Sequence, residues 1–158
     1  MFHMERQDLF KHILVPTDGS ETSIRAGRMS VQLASIHDAR ITFVYVVDRT
    51  TVEEIAEATS RTADMIRRNL EEKGRGYLQY LARLARNNDV EADQVVRQGV
   101  PHSEISELAR DVKADLIVIG RVGCRGPRCV LIGSVAERVI EQAPCPVLVV
   151  SEPNSSRW

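Results

Sequence analysis

Residues 115–135 read DLIVIGRVGCRGPRCVLIGSV and combine three features that together indicate a fold. The stretch begins with a continuous apolar run, Leu116 to Ile119, which is typical of a parallel strand covered on both faces. It continues as a loop rich in glycine and arginine. Its final Gly133-Ser134 is typical of a helix start, where the Ser134 hydroxyl can accept from a free amide. This order of strand, glycine loop and helix N-terminus favours phosphate binding, because the backbone can approach an anion closely and the helix end offers unpaired N–H groups.

Apolar runs and amphipathic segments alternate along the rest of the chain. The runs predict five strands, at His12–Pro16, Arg40–Val47, Glu91–Gln98, Asp115–Gly120 and Val147–Val150. The segments between them have helical spacing. This alternation predicts an α/β fold: a single doubly wound domain whose five-stranded parallel sheet has the order 3-2-1-4-5, with helices on both faces. The third strand is polar and is expected at an edge of the sheet.

The second connection, residues 50–88, is long and charged, and its residues favour a helix. Gly74-Arg75-Gly76 lies between its two apolar stripes and could kink or interrupt the helix, because glycine is costly in helix interiors. Six arginines also punctuate the segment. They could form a nucleic-acid patch, but the nearby glutamates make a solvated helix face the preferred interpretation.

Composition limits the classes of protein to which the chain can belong. It has 158 residues, of which 43% are hydrophobic and 27% charged, and its formal net charge is −1. These values favour one globular domain over residues 1–158, in which 1–9 and 152–158 look like tails. We expect no nucleic-acid partner and no membrane span. The chain start lacks an apolar signal core and the three cysteines suit a reducing compartment, so a cytoplasmic location is predicted.

The cysteines allow more than one interpretation. Cys124 and Cys129 could form a redox pair or a metal clip across the glycine loop. Their spacing matches no strong zinc pattern and no second ligand pair accompanies them, so free thiols are the default. Cys145 stands between two prolines before an apolar strand and is expected to be a buried small residue.

Five ordered blocks of the chain carry a resemblance to a known family. Two of the blocks are Gly120-x-x-Gly123 and, after nine further residues, Gly133-Ser134. The remaining blocks are ILVPTDGS at 13–20, GVPH at 99–102 and PCPVLVV at 144–150. In spacing and order these blocks resemble the ATP-binding branch of the universal stress protein family, over roughly residues 11 to 151.

The resemblance implies a site for adenine nucleotide, that is ATP, ADP or AMP, with Mg²⁺ as a possible companion. Pro16, Thr17 and Asp18 would line the adenosine side, with Asp18 near the ribose or a metal, and Val46 would contact adenine through its backbone. The phosphates would be held by Gly120, Arg121, Gly123, Gly133, Ser134 and Val135. Arg125 and Arg128 could add bidentate phosphate contacts.

The resemblance also implies a role. Family members act in stress survival as nucleotide-binding regulators with weak hydrolysis at most, and they commonly form homodimers through the last strand, here Val147–Val150. The residues themselves leave two alternatives open: a dimeric interaction module that binds no nucleotide, and a slow ATPase or nucleotidyl-transfer enzyme. No catalytic residue is predicted, and the glycine loop is not a Walker P-loop because no Gly-Lys-Ser or Gly-Lys-Thr follows it.

Overall fold

A computed structural model describes residues 9–121 and 132–151, which form five strands and five helices. In chain order the elements are β1 (His12–Pro16), α1 (Glu21–His37), β2 (Arg40–Asp48), α2 (Arg49–Ala58), α3 (Ala63–Asn87), β3 (Ala92–Gly99), α4 (Pro101–Asp111), β4 (Leu116–Gly120), α5 (Ser134–Gln142) and β5 (Val147–Val150). Within the two described ranges, no helix is both long enough and apolar enough to cross a lipid bilayer.

The five strands form one parallel sheet in the order β3-β2-β1-β4-β5, which confirms the predicted fold class and strand order. Ile13 of the central strand lies in register with Ile41 on one side and with Leu116 on the other. The chain builds outward from β1 through β2 to the edge strand β3. It then crosses back to β4 on the other side of β1. The strand order therefore reverses between β1 and β4, where a doubly wound sheet offers a crevice for ligands.

The core has two layers because successive strand residues point to opposite faces of the sheet. On one face, Ile13, Val15 and Phe43 pack with Leu78 and Leu81 of α3 and with residues of α1. The other face packs against α4 and α5, and its buried members include Leu14, Val44, Ile117, Ile105 and Val139. Both faces of the central strands are thus covered, as the continuous apolar runs predict.

The expected interruption at Gly74-Arg75-Gly76 is wrong. Residues 50–88 do form two helices, but the break falls at residues 59–62, and α3 runs unbroken through both glycines. Thr62 begins α3 because its side chain accepts the Met65 N–H at 3.3 Å. Gly74 is instead buried against the Tyr45 ring, which occupies the space that a Cβ would need. This glycine permits a close helix-to-strand approach and does not end the helix.

The predicted capping role of Ser134 is also wrong, by one residue. Gly133 is the N-cap of α5, and its carbonyl accepts the Glu137 N–H at 3.0 Å. Ser134 is the first helical residue, is exposed, and makes no capping hydrogen bond through its side chain. The helix start itself is where the Gly-Ser pair predicts it.

Candidate functional site

A cavity of about 310 Å³ lies at the carboxyl ends of β1, β2 and β4, at the reversal of strand order. Its wall is formed by β1, β2, β4, the five helices and the turn before α1. The lining residues are Pro16, Thr17, Asp18, Ser20, Thr22, Ser23, Val44, Tyr45, Val46, Asp48, Thr51, Leu70, Pro101, Ile105, Ile119, Gly120, Val135 and Ala136. Its volume is within the range of small-molecule sites. The fold and the cavity therefore point to the same place for a ligand.

The turn from β1 into α1 forms the most polar part of the wall. The Thr17 N–H donates to the Val44 carbonyl at 2.9 Å, which ties the end of β1 to β2. The buried Thr17 and Ser23 hydroxyls are 3.0 Å apart. Asp18 Oδ1 accepts the Ser20 N–H at 2.9 Å, and the Ser20 hydroxyl caps α1 by accepting the Ser23 N–H at 3.3 Å. Internal hydrogen bonds therefore help to stabilise this turn.

Two helices begin at the cavity. Ser20, Thr22 and Ser23 bring the N-terminus of α1 to its wall, and Val135 and Ala136 bring that of α5. The first amides of a helix have no intrahelical acceptor, and the helix dipole adds positive potential at the same end. An anionic group such as a phosphate is therefore favoured on this side of the cavity.

The opposite side combines apolar walls with a second carboxylate. Leu70, Pro101 and Ile105 approach the cavity from α3 and α4. Asp48 ends β2 and caps α2, since it accepts the Thr50 N–H at 3.0 Å and the Thr51 hydroxyl at 3.3 Å. This part of the cavity suits a flat, mostly apolar group that carries polar atoms on its rim.

Tyr45 lines the cavity and is only 9% exposed. Burial raises the pKa of its phenol, and the neighbouring Tyr77 and Asp18 raise it further. The ring therefore stays protonated well above neutral pH and offers a hydroxyl donor or acceptor to its surroundings.

Gly120 has a packing reason for its lack of a side chain. A Cβ at this position would lie 2.7 Å from the carbonyl carbon of Thr22 and 2.8 Å from the Ser23 nitrogen. The end of β4 thus packs directly on the backbone of the first turn of α1. Gly120 closes the cavity wall there, and this close approach alone requires glycine.

Six of the residues predicted for the site line the cavity together: Pro16, Thr17, Asp18, Val46, Gly120 and Val135. Three others lie nearby but outside the lining. Gly133 is the buried N-cap of α5, Ser134 is exposed beside it, and the Arg121 N–H donates to the Val150 carbonyl at 2.8 Å. The last member, Gly123, lies outside the described residues, as do Cys124, Arg125, Arg128 and Cys129. The ligand-binding roles of all these residues remain predictions.

Sequence reasoning missed several residues of the wall. Asp48 carried a sequence signal, because it lies at the carboxyl end of an apolar strand, where doubly wound folds bind ligands. Tyr45 and Leu70 carried no such signal, because their sequence positions are typical of an ordinary core. Only the packing of α3 on β2 brings them to the cavity. Cys145, which the sequence predicts to be buried, is half-buried, and burial, followed by the charge of Asp115, raises the pKa of its thiol.

The carboxylates of the cavity limit how a metal could be held. Among residues 9–121 and 132–151, no cluster of three or more His, Cys, Asp or Glu side chains is arranged to bind a metal ion. The cavity lining does contain Asp18 and Asp48. Mg²⁺ usually takes one or two protein carboxylates and completes its shell with phosphate oxygens and water. These residues therefore fit a Mg²⁺ ion that arrives with a phosphate ligand.

Comparison with known proteins gives a consistent family match. The model of the universal stress protein family matches residues 9–151. Universal stress protein MJ0531 of Methanocaldococcus jannaschii is 39% identical over 147 residues, which cover 93% of this chain and 85% of that relative.

Solved structures share the fold. The structure of MJ0577, a hypothetical protein used as a test case for assigning biochemical function from structure, superposes with a TM-score of 0.79. It is 27% identical, with 93% of this chain and 99% of that chain covered. A universal stress protein from Archaeoglobus fulgidus, solved in complex with dAMP, superposes with a TM-score of 0.66 at 22% identity, over 90% of this chain and 98% of that one. At that identity the likeness concerns the fold alone.

Proposed function

The chain belongs to the universal stress protein family, and we propose that it binds an adenine nucleotide in the cavity at the carboxyl ends of β1, β2 and β4. The observation that carries the proposal is the position of this cavity. It lies at the reversal of strand order and is flanked by the N-termini of α1 and α5. An anion-binding side and an apolar side within one cavity match the two ends of a nucleotide. The glycine pattern of Gly120, Gly123 and Gly133-Ser134, which resembles that of the ATP-binding branch of the family, supports adenine as the base.

The polarity of the cavity sets the direction in which the nucleotide lies. The phosphates bind at the α1 and α5 N-termini, beside Gly120 and Val135, where backbone amides supply the positive potential. The base lies between Val46 and the apolar side chains of Leu70 and Ile105, and the Val46 backbone supplies its hydrogen bonds. Asp18, at the turn between these two regions, accepts from the ribose hydroxyls or holds a Mg²⁺ ion that comes with the phosphates.

The ligand acts as a signal or a stabilising group more than as a substrate. ATP is the preferred form, and its hydrolysis is slow. Asp18 and Asp48 each accept a backbone hydrogen bond from their own turn, and the Tyr45 phenol stays protonated because its pKa is raised, so Tyr45 offers no base near neutral pH. The protein serves a stress response in the cytoplasm, where its cysteines remain reduced.

The protein works as a homodimer through β5. This strand is an edge of the sheet, and its Leu148 is 38% exposed although it is apolar. An exposed edge with apolar side chains favours pairing with another chain, and a second copy of the same strand satisfies it.

Two measurements test nucleotide binding. The protein is purified without added nucleotide and denatured by heat, and the supernatant is separated by ion exchange beside nucleotide standards. Stoichiometric ATP supports the proposal with slow turnover, and ADP or AMP supports the slow-ATPase alternative. If nothing elutes, ATP with Mg²⁺ should still raise the melting temperature of the protein, because a ligand that binds only the folded state stabilises it. Failure of both measurements overturns the proposal.

A pair of variants on α5 localises the site. Val135→Trp places a bulky ring into the cavity and should abolish the nucleotide-induced rise in melting temperature. Arg138→Trp adds the same side chain on the exposed side of the same helix and should leave that rise unchanged. If Val135→Trp keeps the nucleotide-induced rise in melting temperature as Arg138→Trp does, the nucleotide binds elsewhere on the protein.

A further inference from the structure

Tyr77 of α3 packs its ring against Gly19, the central residue of the Asp18-Gly19-Ser20 turn. Gly19 has φ of +81°, a conformation that favours glycine, and the Tyr77 ring fills the space where a Cβ on Gly19 would lie. The ring thus rests directly on the turn backbone. Neither group can move toward the other, so the ring limits the positions that the turn can take.

The Tyr77 ring is itself held from the other side. Its centroid is 6.3 Å from that of Tyr45, at an interplanar angle of 47°. Tyr45 in turn packs on Gly74, one helical turn before Tyr77, where its ring fills the space of a missing Cβ. Leu70, Gly74 and Tyr77 are spaced by four and three residues and therefore share one face of α3. This face connects α3 to the cavity wall, to which Leu70 and Tyr45 belong.

The turn under Tyr77 carries polar groups of the cavity. The Gly19 N–H donates to the Thr17 hydroxyl at 3.2 Å, and the Ser20 N–H donates to Asp18 Oδ1 at 2.9 Å. A displacement of Gly19 would therefore move the Asp18 carboxylate and the capping Ser20. Tyr77 does not belong to the cavity lining, so its effect on a ligand passes through the turn.

We propose that Tyr77 is a positioning residue for nucleotide binding, whose ring holds the Asp18-Gly19-Ser20 turn in the shape that presents Asp18 and Ser20 to the nucleotide. This inference rests on the proposed function, because it names a determinant of affinity at the same site. The ring of Tyr77, and not its hydroxyl, is the group that holds the turn. It also gives α3 a direct mechanical connection to the site through one side chain.

Three tyrosine variants test the role of the ring. Tyr77→Ala should weaken AMP binding, measured by isothermal titration calorimetry, by about tenfold or more, because the turn loses its support. Tyr77→Phe keeps the ring and should bind AMP as the wild type does. Tyr80→Ala is the matched control, since Tyr80 lies on the same helix but is exposed and bonds Arg28 at 2.7 Å. It should bind AMP normally.

A second readout reports on the turn without any ligand. The Gly19 α-protons lie against the Tyr77 ring, so their NMR signals in the wild-type protein should be shifted by the ring current. The shift should persist in Tyr77→Phe and vanish in Tyr77→Ala. Absence of that shift in the wild type overturns the inference even if Tyr77→Ala does not fold. Equal AMP affinity of wild type and Tyr77→Ala also overturns it.

The two proposals fail in different ways. If the wild-type protein binds no adenine nucleotide, the proposed function falls and the binding role of Tyr77 falls with it, while the Gly19 ring-current shift remains. If the wild type binds AMP and Tyr77→Ala binds it equally well, the proposed function stands and only the positioning role is lost.

Discussion

Gly120 at the end of β4 packs on the backbone of Thr22 in the first turn of α1, so closely that a Cβ on Gly120 would lie 2.7 Å from the Thr22 carbonyl carbon. The Gly120→Ala variant should therefore lose about 1–3 kcal/mol of unfolding free energy, as overpacked positions do, because backbone cannot rotate away as a side chain can. Urea denaturation measures this loss. A variant as stable as the wild type would show that the two backbones can separate. The lack of a side chain at Gly120 would then have to be explained by the ligand.

Gly76 provides the opposite case on α3. A Cβ at this position would meet nothing within 4 Å, and the residue is exposed in the interior of the helix. Gly76→Ala should raise the unfolding free energy by about 0.5–1 kcal/mol, since alanine loses less backbone entropy in a helix than glycine does. The same urea experiment measures it, and a loss of stability would mean that Gly76 has a packing role.

His12 should make stability depend on pH. Its Nε2 is 2.8 Å from the Thr42 hydroxyl, and burial, followed by the charge of Arg40, lowers the pKa of the ring below its ordinary 6.5 in the folded protein. As pH falls through 6.5, the unfolded chain takes up a proton before the folded one. The unfolding free energy should therefore decrease from pH 6.5 downward until the folded ring also titrates.

The His12→Gln variant isolates this effect. Glutamine keeps an amide that can bond Thr42 but does not titrate. Denaturation curves of both proteins between pH 5 and pH 8 should diverge only below about pH 6.5, where the wild type loses stability relative to the variant. Parallel curves over the whole range would mean that His12 has the same pKa in both states.

The edge strand β5 should control assembly. Leu148→Asp replaces an exposed apolar side chain of this strand with a charged one. The variant should sediment as a monomer in sedimentation velocity, because an unpaired charge is costly at an interface. Met65→Asp is the control. Met65 is 55% exposed and lies on α3, which packs on β2 and β3, away from β5. A Leu148→Asp protein that sediments as the wild type does would rule out β5 as the interface.

Most of the fold can be predicted because the strands β1, β2, β4 and β5 are nearly continuous apolar runs and a parallel sheet buries both faces. The break between α2 and α3 could not be placed correctly. Local propensity gives Gly74 as a helix breaker, but the Tyr45 ring that fills the space beside it comes from a strand almost thirty residues earlier. Tertiary packing overrides propensity at that position.

The candidate site also contains residues that the sequence predicts and residues that it does not. Pro16, Thr17 and Asp18 could be predicted because they form a turn at the carboxyl end of a strand, where doubly wound folds bind ligands. Asp48 carried the same signal at the end of β2. Tyr77 carried no signal, since its importance arises from the positive φ of Gly19 on a distant turn. Residues that support a site from behind are visible only once the elements are packed.

The most direct test of the central claim is a titration of ¹⁵N-labelled protein with AMP and with Mg²⁺-ATP, followed through the backbone amide signals. Adenine-nucleotide binding in the cavity predicts saturable shifts at Thr17, Asp18, Val46, Gly120 and Val135, with little change on the exposed face of α3. GMP serves as the control nucleotide and should produce weaker shifts. Unchanged spectra with both adenine nucleotides, or shifts confined to surfaces away from these five residues, would contradict the account.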